Sequence, residues 1–247
     1  MKAYFASDVH LGSGVIADNR VHEQRFTAWL DSIKSDATHL FLLGDIFDFW
    51  YEYKRVVPKG YVRFLGKLAE LSDRGVELHF FIGNHDVWAF DYLTTEIGAI
   101  IHRQPFTTEL NGKKFFLAHG DGLGDPNLMF RFIRGMFHSR TLQWLFSTFI
   151  HPNAALRFGL WWSKKNRLGK KEIPYKGEKD EYLIQFAKKY VETHPDIDFF
   201  VFGHRHIVLD FQLKNKSRVI ILGDWFQNFS YGVFDGEEFV LNCDFCD

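Results

Sequence analysis

Long apolar runs, cysteines and net charge are what this sequence has least of, and each shortage excludes a class of protein. Nowhere do about 18 consecutive apolar residues occur, the length a helix needs to span a bilayer. The opening residues, MKAYFASDVHLG, show no charged stretch followed by an apolar one. A cytoplasmic protein, at most peripheral to a membrane, is the expectation. The two cysteines, Cys243 and Cys246, form one CDFC pair. With no second pair and no helix opening on it, the pattern makes neither a complete zinc site nor a thioredoxin-like redox site, and reduced, incidental thiols are expected. The formal net charge is only -1, but acidic residues are missing altogether from 126–171, where nine of the 30 Lys and Arg residues fall. The remainder of the chain is therefore acidic, a bias that speaks of partners rather than of fold.

What is present suits a well-cored protein. The 247 residues, 46% of them apolar, read as a single α/β domain over 1–247 with an insertion at about 126–171. Short apolar runs at 3–7, 39–43 and 77–82 alternate with amphipathic stretches at 20–34 and 58–74, the pattern of βαβ units. Beyond residue 99, Asn111-Gly112 separates strands 105–110 and 113–118, and Asp235-Gly236 separates 231–234 and 238–242, both strong hairpin signals. A helix at 177–194 and strands at 199–202, 207–213 and 218–222 complete the reading, without internal repeat or low-complexity tract.

Five of the strands stop at polar residues of one chemical kind. They are Asp8 and His10 in ASDVHLG, Asp45 in LLGDIFD, Asn84 and His85 in IGNHD, His119 in AHGDG, and His204 and His206 in FGHRHI. In an open α/β sheet the crevice beyond the carboxyl ends of the strands is where ligands bind. Asp8/His10 and His204/His206 are i, i+2 pairs that point the same way from extended backbone. Any one of these residues reads more simply as a cap, a turn or a solvated histidine. Together they would crowd carboxylates and imidazoles at buried strand ends, which costs heavily unless they bind a cation. Two Asp, one Asn and four His without Cys form a mixed N/O set suited to manganese, iron or zinc. Seven ligands exceed the needs of one ion, and Asp45 could bridge two, the arrangement used for in-line displacement at phosphorus.

These blocks, D-x-H, G-D-x-x-[DE], G-N-H-D, H-G-D and G-H-x-H, occur in order across residues 8–206, and the chain resembles the calcineurin-like metallophosphoesterases. The resemblance implies a four-layer αββα sandwich. It implies one divalent metal, manganese before iron or zinc, on Asp8, His10, Asp45 and His206, and a second on Asp45, Asn84, His119 and His204. It also implies a catalytic His85, oriented by Asp86, serving the phosphoryl oxygens or the leaving group. Within that family the chain length, GDIFDFW, HGDGL and the lid that follows are most similar to the UDP-2,3-diacylglucosamine hydrolases of lipid A synthesis. The better-known of those read Gly-Asn-Arg-Asp and Gly-Ala-Trp where this chain has Gly-Asn-His-Asp and Gly223-Asp224-Trp225.

The insertion reads as two or three amphipathic helices carrying only positive charge, with starts at Asp125-Pro126 and His151-Pro152. Leu128, Met129, Phe132, Ile133, Met136 and Phe137 make one apolar face. Candidate substrate contacts are Asp125, Arg131, Arg134, Trp162, Ser163, Lys164, Asn166 and Arg167. A buried helical cap and a nucleic-acid groove are the competing readings. The favoured one is a lid that takes the acyl chains of a UDP-linked diacylated glucosamine lipid and meets the inner-membrane surface. Neither nucleic acid nor an obligate protein partner is expected.

Overall fold

The computed structural model describes all residues except 125–127, 170–173, 176 and 244–247. The N-terminal half alternates strands β1 (Ala3–Ala6), β2 (His39–Leu42) and β3 (Glu77–Phe81) with helices α1 (Asn19–Ile33) and α2 (Val62–Asp73), then α3 (Tyr92–Ile97) and β4 (Ile100–His102). The strands pair in parallel, Ala3 opposite His39 and His39 opposite Glu77. They are almost wholly apolar because both of their faces are covered. β5 (Phe106–Leu110) and β6 (Lys113–Ala118) form the Asn-Gly hairpin, with Asn111 at φ 49° and Gly112 at φ 77°. Three helices follow, α4 (Leu128–His138), α5 (Arg140–Phe149) and α6 (Pro152–Gly169), then α7 (Tyr182–Tyr190). The chain ends in β7 (Phe199–Phe202), β8 (Val208–Gln212), β9 (Arg218–Leu222), β10 (Tyr231–Phe234) and β11 (Phe239–Asn242).

Two sheets result, in the orders β11-β10-β1-β2-β3-β4 and β5-β6-β7-β9-β8. Period-2 alternation builds the layers. Phe5, Phe41 and Phe81 meet Phe115, Val201 and Ile220 of the second sheet, while Tyr4, Leu40 and Phe80 face Phe26, Trp29 and Phe64 of α1 and α2. On the far side Phe116, Phe200 and Ile221 pack on Leu183 and Ile184 of α7. The order helix, sheet, sheet, helix is the four-layer sandwich that the family resemblance implies.

Two expected helices are shorter than their periodicity suggests. Gly60 at φ 113° and Tyr61 at φ 57° keep 58–61 out of α2, and Gly177 at φ 113° with an extended Glu181 delays α7 to Tyr182. The sequence reading also lacked α3 and β4, which are only six and three residues long. The three helices between β6 and α7 form a lid docked by aromatic side chains of the body. Tyr51 Oη donates to Gln143 O (2.8 Å), Tyr53 Oη to Ile150 O (2.9 Å) and Trp88 Nε1 to Phe137 O (3.0 Å).

Candidate metal centre

β1, β2 and β3 of one sheet and β6 and β7 of the other run out at the same edge, each into a polar residue. The backbone there is not the extended one on which the i, i+2 alignment of Asp8/His10 and His204/His206 rests. Among the described residues, Asp8, His10, Asp45, His204 and His206 all have φ between 51° and 67°, a region where a non-glycine residue costs of order 1–3 kcal/mol. The strain persists because the loops are cross-bonded. Asp8 N donates to Gly44 O (3.1 Å), His10 N to Asp45 O (3.0 Å) and Gly203 N to His119 O (2.9 Å). Gly83 and Gly203 are needed for close approach: a Cβ on either would run into the carboxylate of Asp45 or Asp8.

Each key carboxylate has one oxygen held and the other turned inward. Asp45 Oδ1 accepts from His85 N (2.8 Å), leaving Oδ2 facing His119 Nε2 (3.4 Å), His10 Nε2 (3.9 Å) and His85 Nε2 (4.0 Å). Asp8 Oδ2 accepts from His204 N (2.8 Å), leaving Oδ1 facing His206 Nε2 (3.2 Å) and His10 Nε2 (3.7 Å). His119 donates its Nδ1–H to Leu43 O (2.7 Å), which orients the ring and turns Nε2 to the site. Among the described residues two groups of ligand atoms emerge, Asp8/His10/His206 and Asp45/His119/His204, linked by a third, His10/Asp45/His85.

The donor set fits divalent cations. Asp8 Oδ1, His10 Nε2, Asn84 Oδ1 and His119 Nε2 are buried acceptor-type atoms with no hydrogen-bond partner among the described residues, a costly arrangement that a cation relieves. Burial pushes the His10 imidazole down to about 3, the Arg167 guanidinium adding to the effect, and the His204 imidazole down to about 4, with His119 adding. Burial alone would raise the Asp8 carboxyl, but the facing His206 and His10 rings outweigh it and hold Asp8 well below the usual range. Asp45 likewise stays low against its burial, through His119 and His85. Ionised Asp8 and Asp45 and neutral His10 and His204 are the protonation states a metal requires. At His119 burial is outweighed by the Asp45 carboxylate, which holds that imidazole well above its usual range, with a proton that a cation would displace.

One expected role changes. Asp86 does not reach the His85 ring: its buried carboxylate accepts from Gly83 N (2.7 Å) and Ile46 N (2.9 Å), tying two strand-end loops together. Burial and the neighbouring Asp45 push its pKa up to about 7. The His85 ring is oriented instead by Asp48, whose backbone carbonyl accepts from Nδ1 (2.8 Å), so Nε2 turns toward the centre.

Of the lid candidates, Ser163 is buried with Oγ 3.5 Å from His85 Nδ1, Arg167 Nε donates to Asp48 Oδ1 (3.1 Å), Arg134 pairs with Asp121, and Lys164 lies over Gly14. Trp162 does not join them. It packs on Phe158 at the exposed surface, because it sits about 100° around the helix from Ser163. Asp125 and the side chains of Arg131 and Asn166 lie outside the described residues.

Three carboxylates around the site had no role in the sequence reading. Asp48 faces His10 Nδ1 (3.6 Å), Asp121 holds Arg134, and Asp224 faces His206 Nδ1 (3.8 Å). Asp224 Oδ1 also accepts from the backbone N–H groups of Phe226, Gln227 and Asn228. The available signal was placement: each lies within a ligand block or in the glycine-flanked GDW turn.

The profile of calcineurin-like phosphoesterases matches residues 1–208. A UDP-2,3-diacylglucosamine hydrolase of Porphyromonas gingivalis is 45% identical over 97% of this chain and 96% of its own length. One from Aeromonas hydrophila is 29% identical, covering 92% of both chains. A dimetal phosphatase from Danio rerio superposes with a TM-score of 0.50 at 14% identity, over 98% of this chain and 95% of that one, a likeness of fold.

Proposed function

The chain belongs to the calcineurin-like phosphoesterase family, and on that premise we propose that it hydrolyses UDP-2,3-diacylglucosamine to UMP and 2,3-diacylglucosamine 1-phosphate in lipid A synthesis. The observation that carries the substrate is the lid. An apolar cavity of about 410 Å³ is lined by Trp88, only three residues beyond His85, and by Met136, Phe137, Leu145, Phe146 and Phe149. A phosphodiesterase of soluble nucleotides would have no use for it, whereas acyl chains beside a diphosphate would fill it. The curated relatives carry the name of this same activity.

Two divalent ions, manganese being the favoured metal, would be held by Asp8, His10, Asp45 and His206 and by Asp45, Asn84, His119 and His204. When bound, they supply an acidified water nucleophile and charge stabilisation at phosphorus. The chain's own residues do the rest. His85, its Nδ1–H engaged by Asp48 O, aims Nε2 where a phosphoryl oxygen or leaving group would sit and can bind or protonate it there. Ser163, Lys164, Arg134 and Arg167 bring hydroxyl and cationic groups from the lid toward the diphosphate. The lid's outer surface exposes Met129, Phe132, Trp144, Phe149, Trp161 and Leu168 among basic residues without a single acid. Such a surface suits a peripheral contact with an anionic inner membrane from the cytoplasmic side. No helix of the described residues is long and apolar enough to cross a membrane.

The test is a substrate panel with the manganese-loaded protein: UDP-2,3-diacylglucosamine against cyclic nucleotides and oligonucleotides. Release of UMP and the acylated sugar phosphate, with little turnover of the others, is the expected result. Turnover of the soluble substrates alone would overturn the lipid assignment.

A further inference from the structure

Asp48 is fully buried, lies three residues beyond Asp45, and touches three functional elements at once. Its Oδ1 is 3.6 Å from His10 Nδ1 and accepts from Arg167 Nε at 3.1 Å, and its backbone oxygen holds His85 Nδ1 at 2.8 Å. Arg167 comes from the last turns of lid helix α6, and its guanidinium also lies over the Phe226 ring (5.5 Å). Phe226 in turn meets the rings of His10 (5.9 Å) and His206 (5.3 Å) edge-on. A lid residue and a candidate metal ligand thus share one carboxylate oxygen.

We infer that Asp48 is a positioning residue that couples the seating of lid helix α6, through Arg167, to the orientation of His10 at the metal centre. The inference rests on the dimetal reading above. Its physical basis is that a carboxylate beside a ligand histidine's second ring nitrogen, here 3.6 Å away and longer than a hydrogen bond, biases the ring's orientation and electrostatically favours positive charge on the imidazole. Because Arg167 draws on the same oxygen, its presence sets where that carboxylate lies and how much of its charge reaches His10. A cation held by His10 Nε2 would make the Nδ1–H edge more positive and draw it toward the Asp48 oxygen 3.6 Å away, a change that Arg167 on the same oxygen, and hence α6, would feel. Coupling of this kind is reciprocal: what the metal does to the lid, the lid does to the metal.

Manganese titration by calorimetry, paired with hydrogen exchange over 152–169, tests this. Wild type should bind two equivalents, and manganese should change exchange in α6; failure to bind manganese would sink the dimetal reading itself. Asp48→Ala should still bind manganese, with one site weakened by about 10–100-fold, and its α6 exchange should no longer respond to the metal. Asp48→Asn, which keeps an acceptor for Arg167 and an oxygen facing His10, should recover part of the affinity and provides the test should the alanine variant fold poorly. Arg167→Met should bind two equivalents while α6 no longer responds. Wild-type affinity in both Asp48 variants, or an α6 response that survives Arg167→Met, would overturn the inference.

Discussion

Asp45 has its two carboxylate oxygens committed differently, one to the His85 amide and one to three imidazole edges, and this division defines its role. It stands between both groups of ligand atoms, and among the described residues its carboxylate is the one that pairs closely with both His10 (3.9 Å) and His119 (3.4 Å). Asp45→Ala should therefore lose metal from both positions together with nearly all hydrolysis, as metal analysis of the purified variant would show. His85 faces the same oxygen from farther out, at 4.0 Å, and its ring is partly open to solvent. His85→Ala should keep both metals and lose about 10²–10⁴-fold in kcat. Metal loss in that variant would make His85 a ligand, and unchanged turnover would remove it from the chemistry. At this scale the sequence was most informative about ligands, since Asp, Asn and His beyond apolar strands have few bland explanations when five blocks coincide. Orientation was not legible. Whether His85 leans on the Asp86 carboxylate or the Asp48 carbonyl is set by how the loop after β2 folds back, which no residue identity states.

At the scale of elements, strong local signals survived and weak ones did not. The parallel strands, the Asn-Gly hairpin and the helix start at Pro152 follow from apolar runs, positive-φ turn residues and the preset φ of proline. The short α3 and β4 carry too few residues for periodicity to register. The lid helices were readable as amphipathic, but which apolar residues face the body was not. Phe137 and Phe146 pack on Trp88, whereas Met129, Phe132 and Phe149 stay exposed. The body's aromatic hydroxyl and indole donors decide this, and they lie 49 to 97 residues away in sequence. Gly159 shows how close the docking is, because a Cβ there would run into the ring of Phe49. Gly159→Leu should lift α6 off the body, raise KM for the lipid substrate several-fold and leave both metals bound; steady-state kinetics with metal analysis checks it. An unchanged KM would show that α6 takes no part in substrate binding.

Across the whole molecule, two sheets share one core and converge at one edge, so global stability and the metal centre rest on the same packing. Stability also has an acid-sensitive point far from the metals. His79 Nδ1 and His102 Nε2 hydrogen-bond across β3 and β4 (2.8 Å), with Glu77 and His39 beside them. The bond needs one donor and one acceptor, so both rings cannot be charged. Burial, with His79 adding, pushes His102 down to about 4. For a histidine depressed on folding, stability is present above the unfolded pKa near 6.5 and is lost as pH falls toward 4. The Tm of the metal-free protein should drop between pH 7 and pH 4.5, and less so in His102→Phe, which still fills the slot between Phe81 and Phe106. An equal drop in both proteins would exclude this pair as the cause. The central claim, that strand ends from both sheets assemble a two-metal centre, is tested most directly by anomalous diffraction from crystals grown with manganese. The account predicts two peaks, one among Asp8, His10 and His206 and the other among Asn84, His119 and His204, with Asp45 between them. A single peak, or peaks away from Asp45, would contradict it.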